Sequence, residues 1–414
     1  LKRTKIKPIM KKVVYLSLFL YTFNLAAQEN DTINKSDFKL DDKGLNFSFN
    51  QGNYQFSING FIQPTVSLEK TSGQESINRF NARRAFFMIG GSAVNEKVSF
   101  LLQSDFGSSE PLLDAWVAYH PYKWLTISAG QKQTFVNNRE MIYREDKLQF
   151  TDRSRVSTIH SRTGREFGFF VESKFGDTFG IAPQLAITSG DGRNSFGLDS
   201  RDSDLGGIKI GGRLDVYPLG YFTQGNEKYT ADLAHEKSVK ILAGIAASKN
   251  KGVSNAVGEG HGDFLFFDSN GKENLVDYSQ IYADILMKYK GFSFLAEYAN
   301  ASANNINNTF IDIEATSILV PQQISEFLII GNSYTLNAGY VTKNGYSFDI
   351  RYENTQPEFE NYANSLLSDS KSYTVGLSKY FKNNNIKLQV ALTSIDVAQG
   401  NRTTISEMVF QIGF

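Results

Sequence analysis

Residues 403–414 read TTISEMVFQIGF. Met408, Phe410, Ile412 and Phe414 alternate with Glu407, Val409, Gln411 and Gly413. A period of two places the two sets on opposite faces of a β-strand. One face is fully apolar and ends on an aromatic ring, while the other mixes polar and small residues.

The same rhythm recurs upstream. Residues 386–396, 372–381, 346–353, 334–343, 292–301, 278–290, 239–249, 206–217, 179–189, 165–175, 124–133, 112–120, 98–106, 80–91 and 54–69 all fit strands. With 403–414 this makes about sixteen. Short turns join many of them, among them Pro121-Tyr122-Lys123, Lys290-Gly291 and Lys343-Asn344-Gly345. Connections after odd strands tend to be long, at 189–206, 250–277, 302–332 and 357–371, and those after even strands short. That parity predicts an all-β fold: a transmembrane antiparallel β-barrel with short turns at one end and long loops at the other. The connection 218–237 breaks the parity, being long where a short turn is expected.

A closed cylinder also accounts for 414 residues without a linker or second core. Mean hydropathy is negative, and no stretch approaches the ~18 apolar residues of a membrane helix. A barrel wall shows this because its residues alternate between lipid and lumen. Lipid excludes open sheet edges, so the last strand is expected to pair with the first. Aromatics near turn ends, such as Trp124, Phe292 and Tyr346, suit interfacial girdles.

The basic start (Lys2, Arg3, Lys5, Lys7, Lys11, Lys12), the apolar run 13–25 and Ala26-Ala27 read as a signal peptide over 1–27. Residues 28–52 read as a periplasmic lead-in and 53–414 as the barrel. Removing the leader takes six of 43 basic residues and no acid, which leaves 37 against 43, or −6. The mature chain therefore has no general basic surface for nucleic acid.

The stretch 131–165, QKQTFVNNREMIYREDKLQFTDRSRVSTIHSRTGR, is too long for a hairpin and too charged to span. It is read as a third outer loop that folds inward and narrows the bore. Its Lys132, Arg139, Arg153, Arg155, Arg162 and Arg165 are candidate cations of an anion pathway, since guanidinium groups bind phosphate and carboxylate through paired donors. Alternation adds Lys209 and Arg213 on the lumen side. Of the adjacent Arg83 and Arg84, one is expected to face inward. Glu172, Asp215, Asp284, Glu297, Asp349 and Glu353 point inward by the same count and would balance these charges.

No cysteine is present, and the four histidines lack metal-ligand spacing. His160-Ser161 are adjacent in a loop, and no GxSxG elbow exists. Neither an enzyme, a metal nor a cofactor is expected.

Several segments together resemble the phosphate-selective porin O/P family. They are Gly60-Phe61-Ile62-Gln63, Asn81-Ala82-Arg83-Arg84-Ala85, Asp114-Ala115-Trp116-Val117-Ala118-Tyr119, residues 124–131 (WLTISAGQ), Asn138-Arg139-Glu140 and Phe150-Thr151-Asp152-Arg153-Ser154. The likeness covers about 50–220. The resemblance implies a sixteen-stranded outer-membrane barrel, a homotrimer, an inward third loop, and passive diffusion of small anions such as phosphate. Arg139, Arg153 and Arg83 or Arg84 fall in its motifs. The chain departs from the pattern in having no dense row of Arg and Lys. Phe414 resembles the terminal signal read by the outer-membrane assembly machinery. The competing expectation is a surface scaffold or binding barrel with a largely closed lumen, suggested by the loops 250–277 and 302–332.

Overall fold

The computed structural model describes residues 37–41, 44–162, 164–193, 207–260, 262–360, 362–382, 384–398 and 400–414. The leader expected at 1–27 lies outside them. Two strands, β1 (Asp37–Asp41) and β2 (Gly44–Phe49), form a hairpin ahead of the barrel. The wall then runs through β3 (Tyr54–Thr71), β4 (Ile77–Ala93), β5 (Val98–Asp105), β6 (Leu112–Tyr122), β7 (Leu125–Gln133), β8 (Arg165–Ser173), β9 (Gly180–Thr188) and β10 (Lys209–Tyr217). It continues through β11 (Lys240–Val253), β12 (Val276–Tyr289), β13 (Phe292–Asn304), β14 (Gly331–Val341), β15 (Tyr346–Pro357), β16 (Ser370–Lys382), β17 (Ile386–Val397) and β18 (Thr403–Gly413).

Each of these sixteen strands pairs antiparallel with its neighbour, and β18 pairs with β3 from Thr403↔Thr71 to Gly413↔Phe61. The barrel is closed. β3 serves two partners end to end, because its first residues pair with β2 (Leu45↔Ile58) and the remainder with β18. Phe414 completes the seam by exchanging two backbone hydrogen bonds of 3.0 Å with Gly60.

The chain is turned inside out relative to a water-soluble protein. Ile210, Leu214, Ile245, Ile281, Ile285, Leu336, Ile350, Val375, Leu377, Leu392 and Phe410 are exposed. Their neighbours on the same strands, including Arg213, Asp215, Asp284, Thr335, Asp349 and Gln411, are buried. Only an apolar solvent outside and a packed polar interior make that arrangement favourable.

Turn chemistry sets the short ends. Lys290 and Gly291, with φ of 48° and 92°, close a two-residue hairpin between Tyr289 and Phe292. Both φ values are positive, as a turn matching strand twist requires. The turn expected at Pro121-Tyr122-Lys123 sits later, since Tyr122 still pairs with Leu125. Pro121 lies instead at a register shift between Tyr119 and Tyr122, where a missing N–H costs no ladder bond.

Candidate functional site

Between β7 and β8, residues 134–164 form two short helices, Arg139–Ile142 and Arg155–His160, and mostly buried irregular chain. Asn138 begins the first helix without a side-chain cap. In the second, Ser154 accepts from the Ser157 N–H and so satisfies a free helical donor.

The partners of this segment lie on the buried polar faces of strands between β10 and β18. Arg139 Nε donates to Asp284 on β12 at 2.9 Å, and its Nη1 to Asp215 on β10 at 3.0 Å. Asn138 Nδ2 donates to Glu297 on β13 at 3.0 Å. His160 meets Ser333 on β14 at 2.8 Å. Glu140 pairs with Arg351 on β15, and the Arg155 N–H donates to Glu353 at 2.6 Å. Lys387 on β17 donates to the Asp146 and Leu148 carbonyls, each at 3.0 Å. Thr151 donates to Glu407 on β18 at 2.9 Å.

Inward glycines leave room for these contacts. A Cβ on Gly244 would fall 2.5 Å from Arg139 Nη2, and one on Gly211 would fall 2.6 Å from Val136 Cγ1. Gly244, Arg351 and Gln149 were not singled out by sequence. A glycine in phase with inward polar residues is the signal that marks the footprint.

The expected cations are present, and most are paired with carboxylates. Arg213 joins Arg139 on Asp215 and Asp284, its Nε lying 2.8 Å from Asp215. Two guanidinium groups thus meet two carboxylates in a buried cluster. Arg165 bridges Asp114 and Glu145, each at 3.2 Å. Arg153 binds Glu145 at 3.0 Å and the Glu140 and Tyr143 carbonyls, so it folds the segment onto itself. Lys209 meets Glu166 at 2.5 Å and Lys132 meets Glu172. Arg155 donates to Ser370 at 3.1 Å, and Arg162 is exposed with Asp263 4.0 Å away.

Arg83 and Arg84 both reach the segment, against the expectation that only one would. Ile62 pairs with Ala85 but Pro64 with Ala82, so two arginines oppose the single residue Gln63. This bulge abolishes strict alternation. Arg84 meets Asp152 at 2.6 Å, and Arg83 meets Asp152 at 3.3 Å and also Glu407.

Electrostatics follow from the pairing. Burial would raise the Glu145 carboxyl, but Arg165, Arg153 and Arg84 more than offset it and hold the group below the usual range. Burial likewise opposes ionisation of Asp152, which Arg84 and Arg83 nonetheless draw down to about 2. His160 has no such partner, and burial lowers it to about 4. Among the described residues, no group of three or more His, Asp or Glu is placed to hold a metal.

The long loops also pack on one another. Ile324, Leu328 and Ile330 from 305–330 cluster with Phe266 of 254–275 and with Val253, Val276 and Ala301 at the strand ends. The apolar part of 302–332 therefore has a partner within the chain.

No family model and no curated protein matches this chain. Solved structures do resemble it. The outer-membrane channel DcaP of Acinetobacter baumannii matches 88% of this chain and 99% of its own length, with 11% identity and a TM-score of 0.53. OprB of Pseudomonas putida matches 87% and 94%, at 10% identity and a TM-score of 0.53. OmpT of Vibrio cholerae, an outer membrane protein solved in a trimer form, matches 86% and 99%, at 10% identity and a TM-score of 0.51. The chain thus has the barrel fold of bacterial outer-membrane proteins.

Proposed function

We propose that this protein is an outer-membrane porin for passive diffusion of small solutes, with residues 134–164 lying across the bore as its constriction. The single observation that carries the reading is the set of hydrogen bonds joining that segment to inward side chains on β10, β12, β13, β14, β15, β17 and β18. A chain bonded to that many inner faces of one cylinder narrows the space left for solute.

The preferred solutes are small anions, phosphate among them. Ion-paired clusters such as Arg139–Arg213–Asp215–Asp284 contribute little net field, so they position the constriction. The preference comes from an excess of cations along the open cavity. Arg144, Lys147, Lys228 and Lys343 line it against Asp146, which pairs with both Arg144 and Lys147, and Glu227. This is net attraction for anions beside a low-dielectric wall. The assembly is a homotrimer, as in the trimer form of the Vibrio cholerae barrel, and Phe414 is read by the membrane-insertion machinery. Unitary conductance and salt-gradient reversal potential in a planar bilayer test this. Discrete openings with a reversal potential on the anion side are expected. Absence of conductance would favour the closed binding barrel.

A further inference from the structure

The connection 218–239 between β10 and β11 departs from the short-turn rule, and its contacts show what it builds. Ala231 packs with Val341 and Tyr380 on β14 and β16, several strands away from its own. The chain therefore crosses the barrel mouth. Phe222 packs on Tyr143 of the constriction segment and on Leu242, Leu286 and Leu295 of the wall. Lys288, buried on β12, donates to the Asn226 and Tyr229 carbonyls, each at 2.6 Å. The Gly291 N–H donates to Asp232 at 2.7 Å. Lys147 Nζ sits 5.2 Å from the centre of the Tyr229 ring, so the connection meets the tip of the segment.

These elements and the wall of β3–β6 enclose a cavity of about 1640 Å³ open at the mouth. Phe61, Met88, Leu101 and Trp116 line it from four neighbouring strands, with Leu101 directly opposite Trp116, and present an apolar surface. Arg144 faces them. Its Nε and Nη2 bind Asp146 at 2.6 and 2.9 Å, while Nη1 lies 3.0 Å from Met88 Sδ, a weak acceptor. That nitrogen can still serve an oxyanion. A polar solute gains nothing from the apolar wall, and a purely apolar one gains nothing from the cations.

We propose that this cavity is a solute site for small amphipathic anions. Their apolar body rests on Leu101 and Trp116, and their anionic head is held by Arg144 Nη1. The site deepens the channel reading and rests on it, since it lies where solute leaves the constriction.

The chain has two tryptophans, Trp116 in the cavity and Trp124 on the outer face. In a Trp124→Phe background, Trp116 emission reports occupancy without any current. Cyclohexanecarboxylate, acetate and inorganic phosphate are titrated at constant ionic strength, and unitary current is recorded in parallel. Cyclohexanecarboxylate is expected to shift Trp116 emission saturably and to reduce the current. Acetate and phosphate should do so at least tenfold more weakly. Arg144→Gln should weaken cyclohexanecarboxylate at least tenfold. Leu101→Gln, which leaves the segment's own contacts alone, should do the same even if Arg144→Gln fails to fold. Equal responses to cyclohexanecarboxylate and acetate, or an unchanged affinity in Leu101→Gln, overturn the site and leave the channel standing. Saturable binding with no conductance in any condition overturns the channel reading and keeps the site.

Discussion

Arg139, in the segment between β7 and β8, is clamped between Asp284 at 2.9 Å and Asp215 at 3.0 Å, two carboxylates on strands two apart in the wall. Arg213 shares both acids. Burial disfavours the Arg139 charge, and Asp284 and Asp215 more than restore it. Removing one member of such a network strands a buried charge, which costs about 3–5 kcal/mol. Arg139→Ala is expected to detach the first helix from the wall and raise unitary conductance. Arg139→Glu together with Arg153→Glu should also move the reversal potential toward cations. Bilayer recording checks both, and an unchanged conductance would mean that the segment does not limit flow.

Gly244 tests the same docking from the wall side. A Cβ there would meet Arg213 Nη2 first and would lie 2.5 Å from Arg139 Nη2 and 2.6 Å from Asp215 Oδ1, all inside van der Waals contact. Gly244→Ala is therefore expected to displace the guanidinium and mimic Arg139→Ala in conductance. The matched control is Gly212→Ala, whose Cβ would meet only the Gln184 carbonyl, at 3.3 Å. Should Gly244→Ala conduct like the parent protein, the inward glycines are not the footprint.

Alternation made the wall legible, because each strand carries its own signal within about ten residues. Ile210, Leu214 and Val216 against Lys209, Arg213 and Asp215 require no knowledge of the rest of the chain. The partners of the segment 134–164 were not legible. Asn138 binds Glu297 across 159 positions, and Arg351 binds Glu140 across 211. Nothing local in either residue names the other. The arginine pair at 83–84 defeated the alternation rule because a bulge gives two residues to one partner. The long connection 218–237 stood out in sequence as an exception, while its purpose lies in contacts with β12, β14 and β16.

Lys288 holds that connection in place through the Asn226 and Tyr229 carbonyls. Buried hydrogen bonds of this kind contribute about 0.5–1.5 kcal/mol each. Lys288→Met removes both bonds while keeping a side chain of similar length. The connection should loosen, with the barrel itself intact. Faster trypsin cleavage at Lys228 from the mouth side and a larger, noisier conductance are expected. Unchanged cleavage would mean that the aromatic contacts of Phe222 suffice alone.

His160 gives the segment a defined response to acid. Its ring is buried, Nε2 lies 2.8 Å from Ser333 Oγ, and Nδ1 has no partner, so a second proton would be unsolvated. Burial depresses it from the usual value near 6.5 to about 4. A depressed folded-state value means the unfolded chain takes up the proton first. The stability this group contributes is complete above pH 6.5 and is lost as pH falls toward 4. That gap corresponds to roughly 3 kcal/mol at most. Asp152, held near 2, and Glu145 titrate below this window and so do not share it. In urea unfolding in lipid vesicles at pH 7.5 and 4.5, the parent protein should lose more stability in acid than His160→Gln does. His160→Gln keeps a donor toward Ser333 but cannot titrate, and it should flatten the difference between the two pH values. An equal acid shift in His160→Gln would assign the effect to another group.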